Sequence, residues 1–106
     1  MVTTIGPQTF EIELQGSVFP LLVAFLKRNE RYCLQARALE RVARTHEGRV
    51  RCFLFNPDYL DTAMDRFQVK GTPTFLLLDR GREINRLIGE SDGDTLDEFV
   101  RTSINR

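Results

Sequence analysis

The chain has 106 residues, enough for one domain around one modest core. Its 15 Lys and Arg balance 15 Asp and Glu, so net charge gives no pull toward nucleic acid or an anionic membrane surface. Two cysteines and one histidine are too few for a disulfide scaffold or a zinc site, and no apolar run approaches the ~20 residues of a membrane span.

Val2-Thr3-Thr4-Ile5 predicts a short edge strand ended by Gly6-Pro7. A short helix is expected from Thr9 to Gln15, closed by Gly16. Residues 19–26 are apolar apart from Pro20, as in a strand buried on both faces, with the proline near its start where a ladder bond is not lost. The longest helix is predicted over residues 30–46, with Tyr32, Cys33, Ala36, Leu39, Val42 and Ala43 as its apolar positions, Asn29 as its cap and Gly48 at its end. Residues 49–55 predict a second buried strand. Asn56-Pro57-Asp58 breaks the chain and starts a helix whose inner face is Leu60, Ala63, Met64 and Phe67. Gly71-Thr72-Pro73 turns into a third buried strand, Thr74 to Leu78. Asp79 to Arg82 reads as a hairpin turn before an alternating strand, Glu83 to Ile88. A final helix is predicted from Asp94 to Ser103. The order β-α-β-α-β-α-β-β-α, with helices between buried strands, implies one α/β domain over residues 1–106: a central mixed sheet flanked by helices on both faces.

Cys52 lies in the apolar run Val50 to Phe55 and reads as an inert core thiol. A Cys33–Cys52 disulfide is disfavoured, because the two fall at opposite ends of neighbouring elements and a bridge needs Cα atoms within ~7 Å. Cys33 opens a helix behind Lys27, Arg28 and Arg31, which suits a reactive thiolate; as a half-buried packing residue beside Glu30 it would be inert. Arg37, Arg41 and Arg44 form a stripe read as a solvated face, with Glu40 and Arg44 as an i,i+4 pair. His46 suits a helix end. Phe53, Phe55, Phe67 and Phe75 read as core. No phosphate loop or catalytic triad is present, and residues 1–20 lack the pattern of a secretory signal.

Several segments together resemble the thioredoxin family. Val69-Lys70-Gly71-Thr72-Pro73-Thr74 is similar to the family's signature turn, in which the proline is cis and faces the redox site. Thr9-Phe10, Leu22-Val23-Ala24-Phe25, Asn56-Pro57-Asp58, Gly81 and Gly89 match the first helix, the central strand, the end of the third strand and the last hairpin. The resemblance implies the thioredoxin fold, with Glu30 at the family's nucleophilic cysteine position and Cys33 at its second, more buried one. A rival register sets Cys33 at the first position and Ala36 at the second. In either, one of two sulfurs is missing, and disulfide exchange by a dithiol needs both. Ala24 and Leu54 stand where the family keeps a buried Asp and a Lys.

The implied site is a degenerate one. Cys33 is the candidate single thiol and Glu30 marks the lost nucleophile. Tyr32, Thr72, Pro73, Ile88 and Gly89 form a groove for an extended partner chain. Residues 30–35 with Leu39-Glu40 are also similar to the thioredoxin domain of the chaperedoxins, which implies client holding; that group's helical-repeat domain is not among these 106 residues. The expectation is a cytoplasmic thioredoxin-like protein of thiol or redox homeostasis that binds a protein client, without metal, cofactor, nucleic acid or membrane. The alternatives are a monothiol oxidoreductase using Cys33 with glutathione or another external thiol, and a non-redox scaffold or co-chaperone.

Overall fold

The computed structural model describes residues 2–29 and 31–104. Five strands and four α-helices follow in the order β1 (Thr3–Ile5), α1 (Pro7–Gly16), β2 (Leu21–Phe25), α2 (Tyr32–Thr45), β3 (Arg51–Phe55), α3 (Leu60–Phe67), β4 (Thr74–Asp79), β5 (Arg82–Ile88) and α4 (Gly93–Ile104), with a 3-10 turn, Pro57–Tyr59, leading into α3. One mixed sheet has the order β1-β3-β2-β4-β5. β1 and β2 run parallel to β3, and β4 and β5 are antiparallel to their neighbours.

The period of two along the strands divides the core into two layers. Leu22 and Ala24 of β2, Cys52 and Leu54 of β3, and Phe75 and Leu77 of β4 face one side, where Leu39 and Val42 of α2 and Leu96 and Val100 of α4 cover them. Val23, Phe25, Phe53, Phe55, Leu76 and Leu78 face the other, under Phe10 and Leu14 of α1 and Leu60 and Ala63 of α3. There the Phe10 ring meets Phe55 edge-on at 5.6 Å, a geometry that adds to simple area burial. Among the described residues no helix is long and apolar enough to cross a membrane.

Several boundaries move for local reasons. α1 begins at Pro7 rather than Thr9, because proline at the first helical position sacrifices no amide bond. β2 begins at Leu21 rather than residue 19. Pro20 contributes its carbonyl to Arg51 N at 2.9 Å, while Phe19 and Val18 stay outside the ladder, 40% and 80% exposed. α2 begins at Tyr32; Asn29 does not cap it but forms a turn ahead of it, its Oδ1 accepting the Arg31 amide at 2.9 Å and its carbonyl the Tyr32 amide at 3.1 Å. The β4–β5 turn places Arg80 and Gly81 both at positive φ, 53° and 82°, the hairpin geometry whose twist matches the strands.

Polar contacts differ from those expected. Glu40 accepts the Val2 amide at 2.9 Å instead of serving Arg44. His46 is buried, with Nε2 2.7 Å from Asp97 Oδ1 and Nδ1 without a hydrogen-bond partner among the described residues, so it ties the end of α2 to α4 rather than merely complementing a helix end.

Candidate functional site

β2 is the middle strand and is buried along its whole length, so its C-terminal end is a fixed point from which the chain emerges between two helical layers. Leu26 is still buried; Lys27, Arg28 and Asn29 are exposed. An ion pair from Arg28 to Asp58 fastens this loop to the turn before α3. The asparagine turn then feeds α2, and Gln35 N bonds to Arg31 O at 3.1 Å to close its first turn.

Opposite lies the segment ahead of β4. The Thr72–Pro73 peptide is cis. Thr74 Oγ1 donates to Gly71 O at 2.8 Å and closes the turn, and Gly89 N donates to Pro73 O at 2.9 Å, tying the end of β5 to the proline. Gly89 has φ 104°, a conformation that favours glycine.

Between these parts is a cavity of about 100 Å³. Leu26, Tyr32, Gln35, Thr72 and Pro73 line it, with Lys27, Arg31 and Glu90 at its charged mouth. A wider open groove of about 460 Å³ continues along α2, walled by Leu34, Arg37, Ala38 and Arg41 on one side and residues 90–93 on the other. Arg31, Gln35 and Glu90 border both spaces, and Arg31 Nε lies 3.7 Å from Glu90 Oε2.

Tyr32, Thr72 and Pro73 thus come together as the sequence predicts. Ile88 and Gly89 flank them, Ile88 as the exposed last residue of β5 paired with Thr74. Glu30 lies outside the described residues. Cys33 is free and exposed and does not line the cavity. It is two positions from Gln35, and residues two apart on a helix do not share a face. The expected placement of Cys33 at the more buried sulfur position is therefore corrected: the packed face of α2 runs through Gln35, Ala38, Leu39 and Val42. An exposed Cys33 with a half-buried Ala36 three residues later is the arrangement of the rival register.

Cys52 is also free, and it is buried. Removal from water, and secondarily the Glu40 charge, push its thiol up to about 12, so it stays protonated and unreactive. Ala24 is fully buried beside Leu54, its register partner on β3, so the ground beneath the cleft is apolar. Among the described residues no three His, Cys, Asp or Glu side chains are grouped to hold a metal.

Sequence reasoning missed Gln35, Glu90 and Ser91. Gln35 is buried, its Nε2 donating to Ser91 O at 3.2 Å and its Oε1 accepting from Ser91 N at 3.0 Å. The signal was present: Gln35, Leu39 and Val42 keep helical spacing, and a single polar residue on that stripe hid it.

Residues 1–102 match the family described as Thioredoxin. A solved structure of chloroplastic thioredoxin z superposes with a TM-score of 0.84 at 22% identity, covering 99% of this chain and 96% of that one; at that identity the likeness establishes the fold. That protein is described as defining a type-specific target recognition. No curated protein sequence matches the chain. With nearly every residue matched by one family and the strand order and helix layers to go with it, the chain belongs to the thioredoxin family.

Proposed function

We propose that this thioredoxin-like protein serves thiol or redox homeostasis by binding a protein partner at the cleft over Pro73, as one domain and without ordinary dithiol reductase activity. One observation carries the reading: among the described residues the cleft is lined by Leu26, Tyr32, Gln35, Thr72 and Pro73, with Lys27, Asn29, Arg31 and Glu90 around them, and by neither cysteine. The two thiols are 19 positions apart in sequence, one exposed and one sealed in the core, so the attack and release steps of dithiol exchange have no pair to run on. An extended client laid along Thr72 and Gly89 would be held by main-chain bonds and by the Tyr32 ring. A reducing, cytoplasmic setting suits two unpaired cysteines.

A second reading is favoured by the exposure of Cys33. Its thiolate attacks a client disulfide, forming a mixed disulfide and releasing one client thiolate. Glutathione then takes the Cys33 sulfur, releasing the second client thiolate, and another glutathione frees Cys33 as oxidised glutathione leaves. Two glutathiones are oxidised for each client disulfide reduced. The third reading, a non-redox co-chaperone, shares the cleft and lacks this chemistry.

Two measurements test the proposal. Fully alkylated, unfolded lysozyme, which offers no thiol or disulfide, is titrated into the labelled protein and followed by amide NMR. The expected changes centre on Tyr32, Thr72 and Gly89; changes confined to other surfaces, or none, sink the partner-binding reading. Insulin reduction with glutathione is expected at the background rate. Turnover that disappears in Cys33→Ser would replace the leading reading with the monothiol one.

A further inference from the structure

We propose that Gln35 is the positioning residue of the cleft: its buried carboxamide fixes the Gly89–Ser91 segment against α2 and so sets the spacing between that segment and Thr72–Pro73. A leucine would fill a buried helix position without a desolvation cost, whereas a carboxamide is favourable there only if both its ends are bonded. Both are, and to a single residue. The Ser91 N–H and C=O pair with Gln35 Oε1 and Nε2 at 3.0 and 3.2 Å, much as two strands exchange bonds. Ser91 falls after the last residue of β5 and before the first of α4, so neither of its main-chain groups has a ladder partner. The same two bonds settle the amide's orientation, because flipping it would set donor against donor and acceptor against acceptor.

The three-residue segment is held from two sides. At one end the Gly89 amide is fixed to Pro73 O, and at the other Ser91 is fixed to α2. Glu90 lies between, its carboxylate turned toward Arg31 across the mouth of the cleft. That ion pair is half exposed on both sides and adds little by itself. The buried Gln35 pairing is what keeps Glu90 and the Gly89 main chain where a partner would meet them.

The consequence for binding rests on the partner-binding reading of the cleft; the positioning is measured in the free protein. In the wild type, the Ser91 amide is expected to be protected from hydrogen exchange, and an unprotected amide overturns the proposal without any variant. In Gln35→Leu, protection at Ser91 is expected to fall about tenfold or more, with the strand amides of β2 unchanged. Gln35→Glu supplies the decisive profile. Ionised, it has no donor for Ser91 O; protonated, its carboxylic acid restores one donor and one acceptor in the same shape. The Ser91 protection factor is therefore expected to be low at neutral pH and to recover as pH falls. A residue that merely packs would change exchange throughout the core and show no recovery in acid, and that outcome also overturns the proposal. Affinity for alkylated lysozyme is expected to weaken about tenfold in Gln35→Leu. If the wild type does not bind this probe while Ser91 responds as described, the partner reading fails and the positioning role stands. If the probe binds and Ser91 is indifferent to Gln35, the reverse holds.

Discussion

Cys33 and Cys52 are the same residue type in opposite environments. Cys33 is on the outer side of α2 in water, and Cys52 is on the covered face of β3 with its thiol pushed up to about 12 by burial. Reactivity follows thiolate content and access, so the two should separate cleanly with an aromatic disulfide reagent. At mildly alkaline pH one thiol per chain is expected to react at once and the second only in denaturant. Cys33→Ser should remove the fast phase and Cys52→Ser should keep it. Two fast thiols would show that β3 is not packed as described. The burial of Cys52 was legible, because an unbroken apolar run around a thiol has one simple reading. The placement of Cys33 was not. An apolar thiol at the start of an amphipathic helix fits either side until the first helical residue is known, and Asn29 moved that start to Tyr32.

The elements that shape the cleft are α2 and α4: Gln35 of α2 holds Ser91 in the loop ahead of α4, an ion pair joins Arg41 to Asp94, and His46 at the end of α2 meets Asp97. α4 has its own start signal. Asp92 Oδ1 accepts the Thr95 amide at 2.8 Å, the cap that satisfies one orphan donor of a first turn. The bond from the Thr95 main chain, aided by the Thr95 side chain and more weakly by Arg41, holds the Asp92 carboxyl below its usual range. A carboxylate depressed by folding contributes stability that is whole above the unfolded value of ~3.9 and is lost as pH falls through the lower folded value. Asp92→Ala is therefore expected to lower the melting temperature most near neutral pH. The gap to wild type should narrow below roughly pH 4. A gap that stays constant down to strong acid would contradict the assigned cap.

Across the whole molecule, the sheet separates two apolar layers, and the layer beneath the cleft contains no charge partner among Leu22, Ala24, Leu54, Phe75 and Leu77. Ala24 and Leu54 stand where the family resemblance implies an acid and a lysine, and they are register neighbours on β2 and β3. Ala24→Asp should therefore destabilise the fold by about 3 kcal/mol or more, since it buries an unpaired carboxyl. Adding Leu54→Lys should recover part of that loss, because neighbours in contact couple. Chemical denaturation of the two variants measures both; an Ala24→Asp protein as stable as wild type would mean that water reaches the layer beneath the cleft.

The order of elements, the sheet with its two faces, and the Tyr32–Thr72–Pro73 cluster were all contained in the order of residues. Strand alternation, turn chemistry and helical spacing are local signals, and here they agree with one another. Gln35 clamping Ser91, His46 buried on Asp97 and Cys33 facing water were decided only by the folded chain. Each depends on a contact across more than fifty positions or on a one-residue rotation of a helix, and neither quantity is fixed until the layers pack.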